Sequence, residues 1–189
     1  MLLLRILLFS GLVFHKLIWE IWKRRFPLPS QGKRSTGLMK RMVKLAKIAV
    51  LIFFLIQTLF LNVFPIGTPH PFVRIAGLFL FVTGLAIAVA GRIQLGKSWK
   101  DLEDLHAGSQ QEMITHGIYS YIRHPIYAGD ILLIVGLELA LESWLVLATA
   151  LIALVVVRQA SQEEKLLAAV FPKYSEYCSL TKRFIPFLY

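Results

Sequence analysis

The sequence predicts an all-helical integral membrane protein with about five transmembrane helices, the last two forming a short hairpin. Three observations carry that prediction. Of the 189 residues, 57% are apolar and only 17% are charged, against roughly a quarter charged in an ordinary soluble domain. The apolar residues fall in long runs rather than at the period of an amphipathic surface helix. The basic residues gather between those runs. The same figures exclude other classes. The single cysteine, Cys178, is incompatible with a disulfide scaffold, and the hydrophobicity is incompatible with disorder. Five spans of about 20 residues each leave no room for a large soluble domain.

The first run, Leu2 to about Trp22, contains Arg5, His15 and Lys16. No small-residue cleavage site follows Phe14, so it reads as a membrane helix rather than a signal peptide. Trp19 and Trp22 suit an interface position. The second run is about Val43–Phe64, after which Pro65, Gly67, Pro69 and Pro71 forbid helix. The third is about Phe72–Ile93, bounded by Arg74 and Arg92. Residues 94–125 are polar, carry Gly96, Gly108 and Gly117, and are too many for a simple turn. The run 126–157 would be about 48 Å long as one helix, too long for a core of about 30 Å, and it is too short for two full spans. Two shortened helices turning near Glu142–Ser143 resolve this. Such a hairpin stops short of a full crossing or thins the bilayer around it.

Charge arbitrates the topology. A net charge of +10 would suggest nucleic acid in a soluble protein. Here Lys23, Arg24, Arg25, Lys33, Arg34, Lys40, Arg41, Lys44 and Lys47 occupy one inter-helix segment with no acid among them. That pattern fits the anionic cytoplasmic leaflet, not a nucleic acid. With the amino terminus outside, five crossings place nine basic residues in loop 23–47, four in 92–125 and five in the tail on the inside, 18 of the 21 Lys and Arg. A single crossing for 126–157 would move the last five outside. The expected organisation is therefore three amino-terminal helices with a basic cytosolic loop (1–93), then a catalytic region (94–189) of cytosolic loop, helical hairpin 126–157, C-terminal helix and tail. A cytosolic loop-and-tail pocket would face the cytoplasm.

The polar residues with chemical potential lie on that side. In Gly117-Ile-Tyr-Ser-Tyr-Ile-Arg-His-Pro-Ile-Tyr-Ala-Gly129, Pro125 biases His124 away from helix and suits the first turn of the next helix. Arg123 and His124 then join free backbone N–H groups in an anion site. Tyr119, Tyr121 and Tyr127 supply aromatic faces. Past the hairpin, Arg158-Gln-Ala-Ser-Gln-Glu163-Glu164 places paired carboxylates at the membrane exit, where they need a cation partner. An ammonium or sulfonium group would serve, as would Arg158 or Arg123. An anion site and a cation site together describe a zwitterionic ligand. The blander readings are a basic flank, a tyrosine belt with Trp99 and Trp144, and a solvated Glu163-Glu164 face. His15 and Lys16 receive no chemistry, and Cys178 is expected to be inert.

The ordered set Gly117-Ile-Tyr119, Arg123-His124-Pro125-Ile-Tyr127-x-Gly129, an apolar hairpin and Glu163-Glu164 resembles the isoprenylcysteine carboxyl methyltransferase family, a pattern shared by phospholipid methyltransferases. Leu95-Gly96-Lys-Ser-Trp99 upstream, and Leu167, Phe171, Tyr174, Tyr177 and Arg183-Phe-Ile-Pro186 downstream, extend the resemblance over about residues 92–189. It implies a membrane enzyme using S-adenosylmethionine. The family's cofactor contacts fall on Gln111, Glu112, Met113, Ile114, Tyr119, His124, Pro125, Ile126, Tyr127 and Glu163, and its substrate-side arginine on Arg158. Two positions depart from the pattern. Gln111 stands where those enzymes often have histidine, and Arg158 precedes Glu163 by five residues rather than four, about 100° of helix rotation.

The implied reaction is an in-line methyl transfer, whose main demand is alignment. Carboxylate acceptors need no general base; amines and phenols do. Arg158 could position an anionic acceptor. The expected acceptor is lipid-like or prenylated, foremost the carboxylate of a prenylcysteine-like substrate, with a phospholipid amine and a phenolic lipid as alternatives. Membrane sterol reductases, which use NADPH, share Arg123-His124-x-x-Tyr127-x-Gly129-Asp130 and the Tyr177-Cys178…Arg183-x-x-Pro186…Tyr189 ending. They resemble the chain less, because they lack Gly117-Ile-Tyr119 and Glu163-Glu164. A non-enzymatic membrane adaptor is the remaining alternative.

Overall fold

The computed structural model describes residues 1–26, 38–68, 70–98 and 113–186. The helices are α1 (Leu2–Arg25), α2 (Leu38–Phe60), α3 (Pro71–Leu95), α4 (Pro125–Ala140), α5 (Thr149–Val170) and α6 (Tyr174–Leu180), with 3-10 turns at Gly117–Ser120 and Trp144–Ala148. Three stretches are long and apolar enough to cross a membrane: Leu2–Arg25, Pro71–Leu95 and Trp144–Val170. The apolar part of α2, Ile48–Phe60, is shorter, and α4 has 16 residues. The expected break in 126–157 falls where the sequence put it, at 141–143. Its second arm is longer than expected, because α5 runs without interruption to Val170 and carries Glu163 and Glu164 on the same helix.

The contact that organises the bundle is between α3 and α4. Gly77, Gly84 and Gly91 recur every seven residues on α3, and Gly129 and Gly136 do so on α4. These rows face each other. A Cβ at Gly136 would lie 2.2 Å from the Phe81 nitrogen, and one at Gly84 would lie 2.4 Å from the Leu133 nitrogen. A Cβ at Gly129 would lie 2.5 Å from the Ala88 nitrogen. The two backbones therefore touch. Small residues at such a seam gain close van der Waals contact, which is a main source of helix association in a bilayer. Leu8 and Leu12 of α1, Phe81 of α3, and Leu133, Leu137 and Ala140 of α4 form the buried cluster beside the seam.

Polar side chains close the end away from Gly117. The loop after α2 ends the helix at Phe60, four residues before the expected limit, because it is stitched to the α4–α5 bend. Ser143 Oγ donates to the Val63 carbonyl at 2.9 Å. The backbone N–H groups of Trp144 and Ile66 donate to the Phe64 and Glu142 carbonyls at 2.9 and 2.7 Å. Arg74, in the first turn of α3, grips Glu142 with Nε at 2.8 Å and Nη2 at 2.6 Å. Arg5, the charge that interrupts the first run, donates to the Thr58 and Leu61 carbonyls at 3.1 and 3.3 Å and to the Asn62 side chain. It thereby satisfies the last carbonyls of α2, which no helical N–H reaches.

The seam sets the first testable outcome. Gly136→Val forces a side chain into the Phe81 backbone, which cannot yield. It should destabilise the protein by about 3 kcal/mol, the upper part of the overpacking range. Leu151→Val on the exposed side of α5 should cost little. Thermal unfolding of both variants in one detergent checks the difference.

Candidate active site

The site is built where α4 begins. The last turn of α3 supplies the platform: Gln94 Oε1 accepts the Ile118 N–H at 2.8 Å. Gly117 has φ 63, and a Cβ there would strike Gln94 Oε1 at 2.4 Å, so glycine is required twice over. The 3-10 turn Gly117–Ser120 then turns Tyr119 inward, and its hydroxyl donates to the Gly91 carbonyl at 3.3 Å. Tyr177 of α6 donates to the Tyr119 carbonyl at 2.7 Å. Burial, then the charge of Glu163, pushes the Tyr119 hydroxyl above its ordinary range. Burial likewise pushes Tyr177 up to about 12. Both remain neutral donors at physiological pH. Tyr121 does not join them. It lies one residue past the 3-10 turn and is 60% exposed, so the expected third aromatic wall is absent from the site.

His124 has φ −124 and ψ 58, outside the helix, with Pro125 at its first position, as the proline predicts. The imidazole is buried. It stacks on Tyr127 at 5.5 Å between centroids and meets Phe184 at 5.7 Å. Its Nε2 lies 3.2 Å from Glu164 Oε1 and its Nδ1 lies 3.8 Å from Glu163 Oε2. The Tyr127 hydroxyl accepts from Gln159 Nε2 at 3.0 Å.

The paired acids have different fates. Glu164 is surrounded by cations. Arg123 Nε donates to its Oε1 at 2.9 Å, Arg183 Nε donates to the same oxygen at 3.2 Å, and Arg183 Nη2 reaches Oε2. Its side chain is only 12% exposed, so the solvated face considered from the sequence is corrected for this residue. Arg123 also donates to the carbonyls of Cys178 at 3.2 Å and Thr181 at 2.5 Å. The guanidinium assigned to an anion site is instead committed to Glu164 and the tail. The tail runs beside the Arg-His step: the N–H of Arg123 donates to the Lys182 carbonyl at 2.8 Å and that of His124 to the Arg183 carbonyl at 3.1 Å. Glu163 is the opposite case. Its Oε2 is buried without a hydrogen-bond partner among the described residues.

The remaining expected residues divide. Pro125, Ile126 and Tyr127 form the first turn of α4. Met113 and Ile114 lie in the coil before the Gly117 turn, half-buried. Gln111, Glu112 and Trp99 lie outside the described residues. Arg158 is exposed on α5, about 140° around the helix from Glu163. Gln159, four residues before Glu163 and on its face, was not singled out; the i, i+4 spacing alone would have found it. Arg183 and Phe184 were legible as members of the Arg183-Phe-Ile-Pro186 ending but without a role, and Gln94 carried no signal.

Removing the charge at Glu164 should act on the fold. Glu164→Gln leaves Arg123 and Arg183 without their counter-charge in a mostly buried setting, a loss of about 3 kcal/mol. Limited proteolysis should then cut within 181–186 sooner than in the parent protein, with α3 and α4 still protected.

The chain is similar to known proteins. Residues 72–174 match the phospholipid methyltransferase family. A probable protein-S-isoprenylcysteine O-methyltransferase of Oryza sativa subsp. japonica is 31% identical over 130 residues, 66% of this chain and 67% of that protein. The cobalt-zinc-cadmium resistance protein CzcN of Cupriavidus metallidurans is 34% identical over 114 residues, 58% of this chain. The chain spans 49% of the length of that second relative. The solved structure of the eukaryotic intramembrane Ras methyltransferase ICMT superposes with a TM-score of 0.65 at 19% identity, covering 98% of this chain and 68% of its own. That likeness carries the fold, an all-helical membrane architecture. With the matched region spanning α3 to the start of α6 and enclosing Tyr119, His124, Tyr127, Gln159, Glu163 and Glu164, the chain belongs to the phospholipid methyltransferase family.

Proposed function

We propose that the protein is an S-adenosylmethionine-dependent membrane methyltransferase. Its acceptor is amphipathic, foremost the carboxylate of a prenylcysteine-like substrate at the cytosolic surface of the bilayer. The observation that carries this reading is Glu163 Oε2, a buried carboxylate oxygen with no hydrogen-bond partner among the described residues. Such an atom is costly unless a ligand completes it. The rice relative and the ICMT structure, itself that of a methyltransferase, support the reaction class.

The residues present fit the cofactor. Glu163 would accept from its ammonium group. The N–H groups of Ile126 and Tyr127, at the start of α4, would face its carboxylate. The rings of His124, Tyr127 and Phe184 would line the pocket, with Tyr119 behind Glu163 and Met113 and Ile114 along the approach; the resemblance adds Gln111 and Glu112, which lie outside the described residues. Bound there, S-adenosylmethionine supplies an electrophilic methyl group on a sulfonium sulfur. The chain's task is to hold the acceptor oxygen in line with that methyl and to exclude water. Arg158, exposed on α5, would offer charge to an anionic acceptor. A carboxylate acceptor needs no proton removed. Adjacent Glu164 serves a second purpose: it ties the tail across the pocket while leaving Glu163 free.

The orientation belongs to the same proposal. Five crossings, with loop 23–47, loop 94–125 and the tail in the cytoplasm, keep 18 of the 21 basic residues inside. In a Cys178→Ser background, an impermeant thiol reagent added outside should label Gly67→Cys and miss Ser109→Cys. The reverse pattern overturns the orientation.

The cofactor assignment has its own test. Glu163→Gln removes one charge-assisted hydrogen bond worth roughly 1.5–3 kcal/mol. S-adenosylhomocysteine affinity by calorimetry should therefore fall by about 10- to 150-fold. His124→Ala should also weaken it, and NADPH should give no heat. Unchanged affinity in Glu163→Gln removes that carboxylate from the pocket.

A further inference from the structure

A second ionisable group sits deeper in the bundle, one helical turn along α4 from Ile126 and Tyr127. His15 Nε2 of α1 lies 3.0 Å from Asp130 Oδ1 of α4. The imidazole stacks on Trp19 at 4.7 Å, and the Arg92 guanidinium lies 5.8 Å over the same indole. The ring is thus fixed on both its edge and its face. Arg92 follows Gly91, the residue whose carbonyl receives Tyr119 and whose missing side chain admits Pro125 and Ile126. The pair and the Glu163 site therefore adjoin the same α3–α4 contact.

Ionisable residues on apolar helices are expensive and are kept mainly where they meet each other or a substrate. Gln57–Glu138 and His15–Asp130 are two meetings of this kind between helices, and they differ. Gln57 and Glu138, bonded at 2.9 Å, are 1% and 0% exposed; that pair is a sealed lock between α2 and α4. The side chains of His15 and Asp130 are 22% and 36% exposed. Nδ1 of His15 has no hydrogen-bond partner among the described residues. The pair is open and has one ring nitrogen to give.

We infer that the His15–Asp130 pair is a binding site for the carboxylate of the methyl acceptor, entered from the bilayer side of the pocket. This deepens the proposed function and rests on it. As an imidazolium, His15 gives its Nε2–H to Asp130 and offers its Nδ1–H to one oxygen of the acceptor carboxylate, leaving the other oxygen to attack the methyl carbon. Asp130 holds the ring so that the donor direction is set before the acceptor arrives. The Arg92 guanidinium of α3 lies across Trp19 from the imidazole. The acceptor's hydrocarbon tail stays in the apolar surroundings of α1, which is where a lipid-like substrate already resides.

The test uses the full chain in lipid nanodiscs, an N-acetylated S-prenylcysteine as acceptor, and its carboxamide as a non-reacting competitor. S-adenosylhomocysteine affinity is measured in every sample. His15→Leu should raise the acceptor KM by about tenfold, the loss of one charge-assisted bond, with kcat changed less than threefold and S-adenosylhomocysteine affinity unchanged. His15→Gln, which keeps an N–H donor, should recover part of the loss. Asp130→Asn should raise KM by a smaller factor. In the parent protein the carboxylate should bind about tenfold tighter than the carboxamide, and His15→Leu should erase that preference. A preference that survives His15→Leu overturns the inference, as does an unchanged KM in both His15→Leu and Asp130→Asn. An absence of preference in the parent protein also overturns it. Failure of the parent protein to bind S-adenosylhomocysteine overturns the proposed function instead, so the two failures are distinct.

Discussion

Everything at the site depends on how closely α3 and α4 approach. Glycines at seven-residue intervals on both helices let the backbones touch, and no larger residue can enter without separating them. That approach brings the first turn of α4 against Gly91 and puts the Gly91 carbonyl within reach of the Tyr119 hydroxyl. Gln94, one turn further along α3, then fixes the Gly117 turn. The placement of His124, Pro125 and Tyr127 is thus inherited from a helix seam that contains no catalytic group. A seven-residue spacing also suits a slightly tilted crossing, in which the same face stays in contact over several turns.

The second constraint is electrostatic. Successive residues on a helix point about 100° apart, so Glu163 and Glu164 cannot share an environment. Glu164 turns toward Arg123 and Arg183 and closes the tail over the Arg-His step. Glu163 turns toward His124, Tyr119 and Tyr127 and keeps an oxygen free. One acid neutralises the cations that would otherwise compete for the other. Among the described residues, Glu163 is left without an arginine partner.

Polar groups inside the apolar helices also meet partners, although Gln57 Oε1 and Glu138 Oε1 keep no hydrogen bond among the described residues. Arg5 ends α2, Arg74 holds Glu142 at the hairpin bend, and Gln57 joins Glu138. These residues make the runs look imperfect by composition, yet each stabilises a helix end or a helix pair whose backbone groups have no water to turn to. The first helix in particular is a working part of the bundle: Leu8 and Leu12 enter the core, Arg5 caps a neighbour, and His15 reaches α4.

The sequence by itself determined the all-helical membrane class, the bend near Glu142–Ser143 and the break at His124–Pro125. Each rests on local chemistry: run length, proline's missing N–H and loop charge act within a few residues. Tertiary structure decided the rest, because the partners are far apart in the chain. It committed Arg123 to Glu164, 41 residues on, and brought in Arg183 from the tail. It turned Tyr121 outward at the end of a 3-10 turn whose register depends on Gln94. The glycine rows were not among the sequence expectations, and that they face each other is a fact of α3 and α4 together. Whether a carboxylate is free or neutralised is set by what surrounds it in space, and for Glu163 and Glu164, adjacent in sequence and alike in chemistry, only the fold could separate the two.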